Sequence, residues 1–443
     1  MTEPLLSAAV LHPDGPASPR PLVDPAPRDL LRLAVAGSVD DGKSTLVGRL
    51  LHDTRSVLSD TLASVERASR ERGLVEADLA LLTDGLRAER EQGITIDVAH
   101  RYFTTPRRSF VLADTPGHVE YTRNMVTGAS TAELALVLVD ARRGVVEQTR
   151  RHAAVTALLG VRHVALVVNK MDLVGFDPEV YAAIRADFAT VASALGLDDV
   201  VPVPVSALHG DNVVTRSDRM PWHHGPTLLE HLEGVPVGTE PDLEPFRFPV
   251  QVVLRPRTAE HPDYRGLAGR VAHGVVRVGD PVVVLPSGRE TRVAAIDGLD
   301  GPLDAASAMQ SVVLRLADDV DAARGDLLAG VAGRPLPVRE LEATVCVLAD
   351  RVVEEGAQLL VHHGTRTTLA RVGAVRSRLD LVTLDHVDDG KPLALNDIGR
   401  VSLRLAEPLP IDDYRELRRT GAFLLVDRQD GTTLAAGMAA LGR

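Results

Sequence analysis

The segment Gly37-Ser38-Val39-Asp40-Asp41-Gly42-Lys43-Ser44 fits the pattern G-x-x-x-x-G-K-S, and it lies between an apolar run, Leu31 to Ala36, and an amphipathic stretch that opens at Lys43. Strand, glycine-rich turn and helix in that order form the setting in which a backbone can cradle a phosphate. Glycines let the chain wrap an anion with its N–H groups pointing inward, and the helix N-terminus adds its positive end. Lys43 is placed to reach the β- and γ-phosphates of a nucleotide, Ser44 to offer its hydroxyl to Mg2+, and Thr45 follows as the last member of the binding set. A glycine-rich turn without a ligand has the same local sequence, so the functional reading depends on what stands downstream.

Three elements follow in order. Asp114-Thr115-Pro116-Gly117-His118 comes after the apolar run Phe110 to Ala113. A carboxylate at the end of such a strand can hold Mg2+ through its water, and the Gly117 amide can meet a γ-phosphate. Alone, that stretch reads equally well as a turn. Asn169-Lys170-Met171-Asp172 follows the run Val164 to Val168. The Asp172 carboxylate can accept from the N1–H and the exocyclic amine of guanine, a pattern adenine does not offer, with the Lys170 stem along the ring. That selects GTP over ATP. Ser206-Ala207-Leu208, after Val201 to Val205, is placed to support the base through backbone N–H groups.

The strand runs alternate with helix-like segments, Lys43 to Leu51, Gln148 to Leu159 and Pro178 to Leu195, the last with Val180, Ile184, Phe188 and Val191 on one face. Alternation of this kind predicts a mostly parallel sheet with helices on both faces. Leu58 to Arg90 reads as a helical insertion. Past Pro241 the texture becomes short β-rich runs broken by Gly, Pro and Asp, and a second such block starts near Glu340. The expected plan is a proline-rich arm over 1–27, a nucleotide domain over 28–240, and β-barrels over 241–334 and 335–443. The arm carries seven prolines, and its apolar Leu5 to Leu11 is preceded by Glu3 rather than by a basic residue, which argues against a secretory signal and for a cytoplasmic location.

Composition bounds the partners. The 443 residues carry a net charge of −12 with 3% aromatics, which argues against a broad nucleic-acid surface, and no apolar run reaches the roughly 18 residues of a membrane span. Of 49 basic residues only Lys43, Lys170 and Lys391 are lysines, leaving 46 arginines. Where Arg replaces Lys so thoroughly, a surviving Lys marks a place where a compact ammonium is needed. Two of the three fall in the motifs above. The lone Cys346, in Ala343 to Leu348, reads as core. The pairs His223-His224 and His362-His363 lack partners at metal-ligand spacing and read as surface or turn residues.

The ordered motifs make the first domain resemble the GTP-binding domain of translation-factor-type GTPases, and the trailing barrels resemble the second and third domains of elongation factor Tu. Within that superfamily, Asp41 in the loop and the stretch Asp84-Gly85-Leu86-Arg87-Ala88-Glu89-Arg90-Glu91-Gln92-Gly93-Ile94-Thr95-Ile96-Asp97 are similar to the large, GTP-hydrolysing subunit of bacterial sulfate adenylyltransferase. Glu120-Tyr121-Thr122-Arg123-Asn124-Met125, Pro221-Trp222 and Thr420-Gly421-Ala422-Phe423 add to the match, while His100 stands where Tyr is usual in that branch.

The resemblance implies an α/β P-loop GTPase domain followed by two β-barrel domains. It implies that Thr95 closes on Mg2+ and the γ-phosphate and that His118 orients the attacking water. It further implies GTP and Mg2+ as cofactors, and a smaller partner subunit of the ATP-pyrophosphatase type that makes adenylyl sulfate from ATP and sulfate. The S-G-G-x-D-S signature of that partner does not occur in these residues, and neither does a second phosphate loop of the kind an adenylyl-sulfate kinase needs. The alternative is an elongation-factor-like carrier of aminoacyl-tRNA, supported by the shared three-domain plan and opposed by the net charge, by Asp41 and by the Leu58 to Arg90 insertion.

Overall fold

The strand that leads into the glycine-rich loop occupies the middle of a six-stranded sheet. The computed structural model describes residues 29–57, 59–71, 77–82, 99–115, 122–237, 244–256, 263–388 and 390–442. The arm over 1–27, Thr95, Gly117 and His118 lie outside them.

The first unit runs β1 (Leu30–Ala36), α1 (Lys43–Asp53), α2 (Ser59–Glu71), β2 (Ala99–Thr104), β3 (Ser109–Asp114), α3 (Thr122–Ala129), β4 (Leu134–Asp140), α4 (Glu147–Leu158), β5 (His163–Asn169), α5 (Pro178–Leu195), β6 (Asp199–Pro204) and α6 (Leu228–Gly234). Sheet order is β2-β3-β1-β4-β5-β6, parallel throughout except that β2 runs antiparallel to β3. Because β1 pairs with β3 on one side and β4 on the other, the chain reverses direction across the sheet there, and a crevice opens beyond the C-terminal ends of the strands.

Apolar alternation fixes the layers. Leu31, Leu33 and Val35 pack with Leu46, Val47 and Leu50 of α1 on one face. All seven residues of β4 are buried, as befits a strand covered on both sides. Helix α5 starts at an Asp177 cap that accepts the Glu179 N–H, with Pro178 in its first turn, and stops at Gly196 with φ 68°. Its Ile184, Phe188 and Val191 are buried, with Val180 partly so. Within the insertion, α2 is followed by a 3-10 turn over Leu79–Leu82 that lies on α1 so closely that a Cβ at Gly48 would meet the Leu79 carbonyl at 2.0 Å.

Two closed β-barrels follow, each a ring of six strands. In the first, β7 (Arg247–Leu254), β8 (Gly266–Arg270), β10 (Pro281–Leu285), β11 (Arg289–Gly298), β14 (Ser311–Leu316) and β15 (Leu327–Gly330) are closed by the β10 to β11 pairing, with β9 (Val275–Arg277), β12 (Gly301–Leu303) and β13 (Ala305–Ser307) as short additions. In the second, β16 (Pro337–Val347), β17 (Gln358–His363), β18 (Arg366–Leu379), β20 (Ile398–Pro410), β21 (Ala422–Asp427) and β22 (Thr433–Ala440) are closed by β17 to β18, with β19 (His386–Val387) at the side.

The second barrel docks on the sheet unit. Cys346, Leu348, Ile398, Tyr414 and Met438 pack against Ala34 and Ala36 of β1, Met125, Val126 and Ala129 of α3, and Val155 of α4. The Tyr414 hydroxyl donates to the Leu159 carbonyl at 2.9 Å. Between the barrels, the buried Arg247 guanidinium meets Asp412 with two hydrogen bonds of 2.9 and 2.8 Å. No helix among the described residues is long and apolar enough to cross a membrane.

Candidate functional site

At the end of β1 the chain turns through Gly37 to Gly42. Asp40 and Gly42 take positive φ, 68° and 91°. A Cβ at Gly42 would meet Asn169 Nδ2 at 2.4 Å, so glycine is required there both for conformation and for space. Lys43 begins α1 and is almost wholly buried; its ammonium donates to the Gly37 carbonyl at 2.8 Å and the Ser38 carbonyl at 3.0 Å. Burial lowers its pKa, opposed by the charges of Asp114, Asp41 and Asp40.

Asp41 points back into the loop. Its Oδ2 accepts the Ser38 N–H at 2.6 Å, and burial pushes the carboxyl pKa up, against that hydrogen bond and the nearby Lys43. The Ser38 hydroxyl is buried without a partner among the described residues. A buried ammonium and an unpartnered hydroxyl beside a helix start are groups whose chemistry suits an anion. Val39, Ser44 and Thr45 are half-buried around it.

Asp114, buried at the end of β3, is close enough to raise the Lys43 pKa. The next residue, Thr115, donates its hydroxyl to the Val35 carbonyl, which ties the segment after β3 to the strand that carries the loop. Among the described residues no group of three or more His, Cys, Asp or Glu side chains could hold a metal. The Ser44 hydroxyl and the Asp114 carboxylate are hard oxygen donors that suit Mg2+ once phosphate oxygens and water complete the shell.

The second motif folds onto the first. Asn169 ends β5, its Nδ2 donating to the Asp41 carbonyl at 2.8 Å while its Oδ1 accepts the Ala207 N–H at 3.0 Å. Lys170, with φ 63°, sends its ammonium to the Asp40 carbonyl and, at 3.0 Å, to the buried Asp140 carboxylate. Burial opposes ionisation of Asp140, but hydrogen bonds from Arg142 and Lys170 outweigh it and hold the carboxyl well below the usual range. Asp172 Oδ1 accepts from the Ser206 hydroxyl at 2.6 Å. Thus the loop, Asn169, Lys170, Asp172, Ser206 and Ala207 gather at one edge of the sheet, with Leu208 exposed beside them.

The structure brings these sequence-predicted residues together and shows bonds among them that the motifs do not announce. The Ala207 amide donates to Asn169 Oδ1 and the Ser206 hydroxyl to Asp172 Oδ1, so both residues fix side chains of the motif before them. Asp41 is both a loop member and the internal acceptor that closes the loop, a role the G-x-x-x-x-G-K-S pattern does not encode. The reading of the histidine pairs as surface or turn residues needs correction: His223 and His363 are buried, the first with Nε2 at the Pro226 carbonyl and the second at the Thr420 carbonyl. Each supplies a hydrogen bond inside the fold, which no periodicity announced.

Comparison with known proteins gives the following. Residues 28–237 match the family described as Elongation factor Tu GTP binding domain, and residues 340–440 match GTP-eEF1A C-terminal domain-like. The bifunctional enzyme CysN/CysC of Mycobacterium tuberculosis is 56% identical over 410 residues, covering 92% of this chain and 67% of that protein. Sulfate adenylyltransferase subunit 1 of Laribacter hongkongensis is 49% identical over 415 residues, covering 93% of this chain and 85% of that protein. A solved structure of sup35 complexed with GMPPNP aligns over 94% of this chain and 95% of its own, with 25% identity and a TM-score of 0.42.

Proposed function

The chain belongs to the sulfate adenylyltransferase subunit 1 family and carries a GTPase domain, and from that premise we propose that it couples GTP hydrolysis to the formation of adenylyl sulfate and pyrophosphate from ATP and sulfate in a partner subunit. Adenylyl sulfate is a mixed anhydride whose formation is strongly uphill, so a downhill phosphoanhydride cleavage is a sensible drive. The partner is a smaller adenylyltransferase of the ATP-pyrophosphatase type, and the complex works in the cytoplasm.

In this reading the amides of Gly37 to Ser44 and the Lys43 ammonium hold the phosphates, and Asp172 accepts from the guanine N1–H and amine. Asn169 and Ala207 keep that clamp in register with the loop. Ser44, Asp114 and Thr95 would hold Mg2+, which would supply positive charge against the nucleotide's phosphates. His118 orients a water whose oxygen attacks the γ-phosphorus. The bond from that phosphorus to the bridging oxygen breaks, GDP leaves with the electron pair, and the water's proton ends on the released phosphate. Ordering of 93–97 and of the segment after Asp114 by GTP biases the partner's site, and hydrolysis resets it.

The observation that supports this most is the hydrogen bonding of Asn169 to both the Asp41 carbonyl and the Ala207 amide, which holds the Gly37 to Ser44 loop and the Asn169 to Asp172 segment at a set separation. The test is reconstitution: the purified chain, its candidate small subunit, ATP, sulfate and GTP. Adenylyl sulfate formed together with GTP turnover supports the reading. Absence of any sulfate-dependent product, with protection of aminoacyl-tRNA from hydrolysis instead, overturns it.

A further inference from the structure

A cavity of about 1700 Å3 lies where the parallel sheet and both barrels meet, and no residue of the loop Gly37 to Ser44 lines it. Its wall carries Arg32 from β1, Arg270 from the end of β8, and Arg418 and Arg419 from the turn before β21. Each of the three folding units thus contributes at least one guanidinium.

These arginines are not neutralised in place. Arg270 donates to the Met309 carbonyl, Arg419 to the Ala272 carbonyl, and Arg418 to those of Ala132 and Ser130. Among the described residues none of the four makes an ion pair with a carboxylate, and the Arg32 side chain has no hydrogen-bond partner. A guanidinium has five donors in a fixed fork, so most of the donors here are left over.

Desolvation in the cleft lowers the Arg419 pKa; Glu244 opposes this, and the charges of Arg270, Arg32 and Arg418 add to it, which places all four within electrostatic reach of one another. Six carboxylates share the wall, Glu133, Glu244, Glu340, Glu342, Asp413 and Glu416, and Asp413 accepts the Arg415 and Leu441 N–H groups at 2.9 Å each. Glu133 accepts the Arg32 backbone N–H at 3.1 Å, and Glu244 meets His273 Nδ1 at 3.0 Å. Farther along the wall, Glu340 pairs with Arg404 and Glu342 with Arg376. His273 itself is 5% exposed, and its Nε2 has no partner among the described residues.

We propose that this cleft binds a phosphate-rich anion, which Arg32, Arg270, Arg418 and Arg419 grip from all three units at once. Multiply charged phosphate oxygens match the spare guanidinium donors and offset the repulsion among them. An anion held there draws the sheet unit and the barrels together, so its binding biases their relative placement.

Calorimetry on the full chain tests this, with Mg2+ and GDP at saturation so that the nucleotide loop is occupied. Inorganic pyrophosphate is titrated in one arm and ATP in the other. Binding in either arm, weakened about ten-fold by Arg270→Gln and by Arg32→Gln and largely retained in Arg32→Lys, supports the proposal. Pyrophosphate alone assigns the free anion as ligand, and ATP alone assigns a nucleotide's phosphate tail. Arg270 is exposed and makes one carbonyl bond, so its variant keeps the fold even where Arg32→Gln does not. No binding in either arm, or binding of equal strength in Arg270→Gln, overturns it.

Discussion

Asn169 donates to the backbone carbonyl of Asp41 at 2.8 Å, a hydrogen bond between residues 128 apart in sequence that is buried on both sides. The bond joins the end of β5 to the middle of the loop after β1, two strands separated by β4. Whatever the loop holds is therefore positioned against whatever Asp172 holds, without relying on the ligand to bring the two together.

Asp172→Asn exchanges a carboxylate acceptor for an amide that also donates. GTP affinity should fall about 10- to 100-fold, the worth of a hydrogen bond to a charged group, while xanthosine triphosphate gains because its O2 can accept from the new amide. Competitive binding of the two nucleotides reads this. An unchanged preference for GTP removes Asp172 from base recognition.

The Asp41 carboxyl has its pKa raised by burial, so ionisation weakens the fold: the cost is absent below the ordinary value of 3.8 and develops as pH climbs through the raised pKa. Asp41→Asn keeps an acceptor for the Ser38 N–H and drops the charge. Thermal melts should show the variant more stable than the parent at pH 7, with the advantage shrinking as pH falls toward 3.8. A less stable variant at pH 7 would mean that attraction to Lys43 outweighs desolvation.

His152, buried in α4, is held down to about 3, first by burial and then by the charges of Lys43 and Arg151. With an ordinary value of 6.5, the unfolded chain takes up a proton as pH drops below 6.5 while the folded chain does not. Stability from the neutral ring is complete above 6.5 and is lost as pH falls through that window toward 3. Urea midpoints measured between pH 7.5 and 5 should decline, and His152→Gln should flatten part of the decline; His223, His231, His273, His363 and His386, whose pKa values burial also lowers, add to it.

Arg247 and Asp412 fasten the two barrels, and Asp412 also accepts the Thr420 hydroxyl at 2.6 Å. Arg247→Met leaves a buried carboxylate without its cation and should cost about 3–5 kcal/mol by chemical denaturation. Adding Asp412→Asn removes the stranded charge and keeps an acceptor for Thr420, so the double variant should recover most of that loss. If it does not, the guanidinium contacts to the Phe246 and Gly333 carbonyls carry the junction instead.

Local chemistry made the nucleotide motifs legible in the sequence. Gly42, Lys43, Asn169 and Asp172 each follow a buried apolar strand, and the parallel sheet brings those strand ends to one edge. Contacts across the fold were not legible. Residues 343–347 alternate so that Val345 and Val347 face the barrel core while Cys346 faces α3 and α4, and nothing in the order Val-Cys-Val says that a second domain covers the outer face. Strand β2 is not legible because His100, Tyr102 and Thr104 alternate as exposed residues along it and leave no continuous apolar run. Arg247 is a charged residue among the most buried in the chain, and only the position of Asp412 across the barrel junction explains it. Of the three lysines, Lys43 and Lys170 bind backbone carbonyls on opposite sides of the same loop, consistent with positions where a compact ammonium fits and a planar fork does not.

The coupling itself is tested most directly by the position of the adenylyl sulfate reaction. In the reconstituted complex with ATP and sulfate, the account predicts that GTP drives adenylyl sulfate above the level reached without it, and that neither a non-hydrolysable GTP analogue nor GTP with Lys43→Ala does so. The same final level of adenylyl sulfate with GTP, with the analogue and with no guanine nucleotide would contradict it.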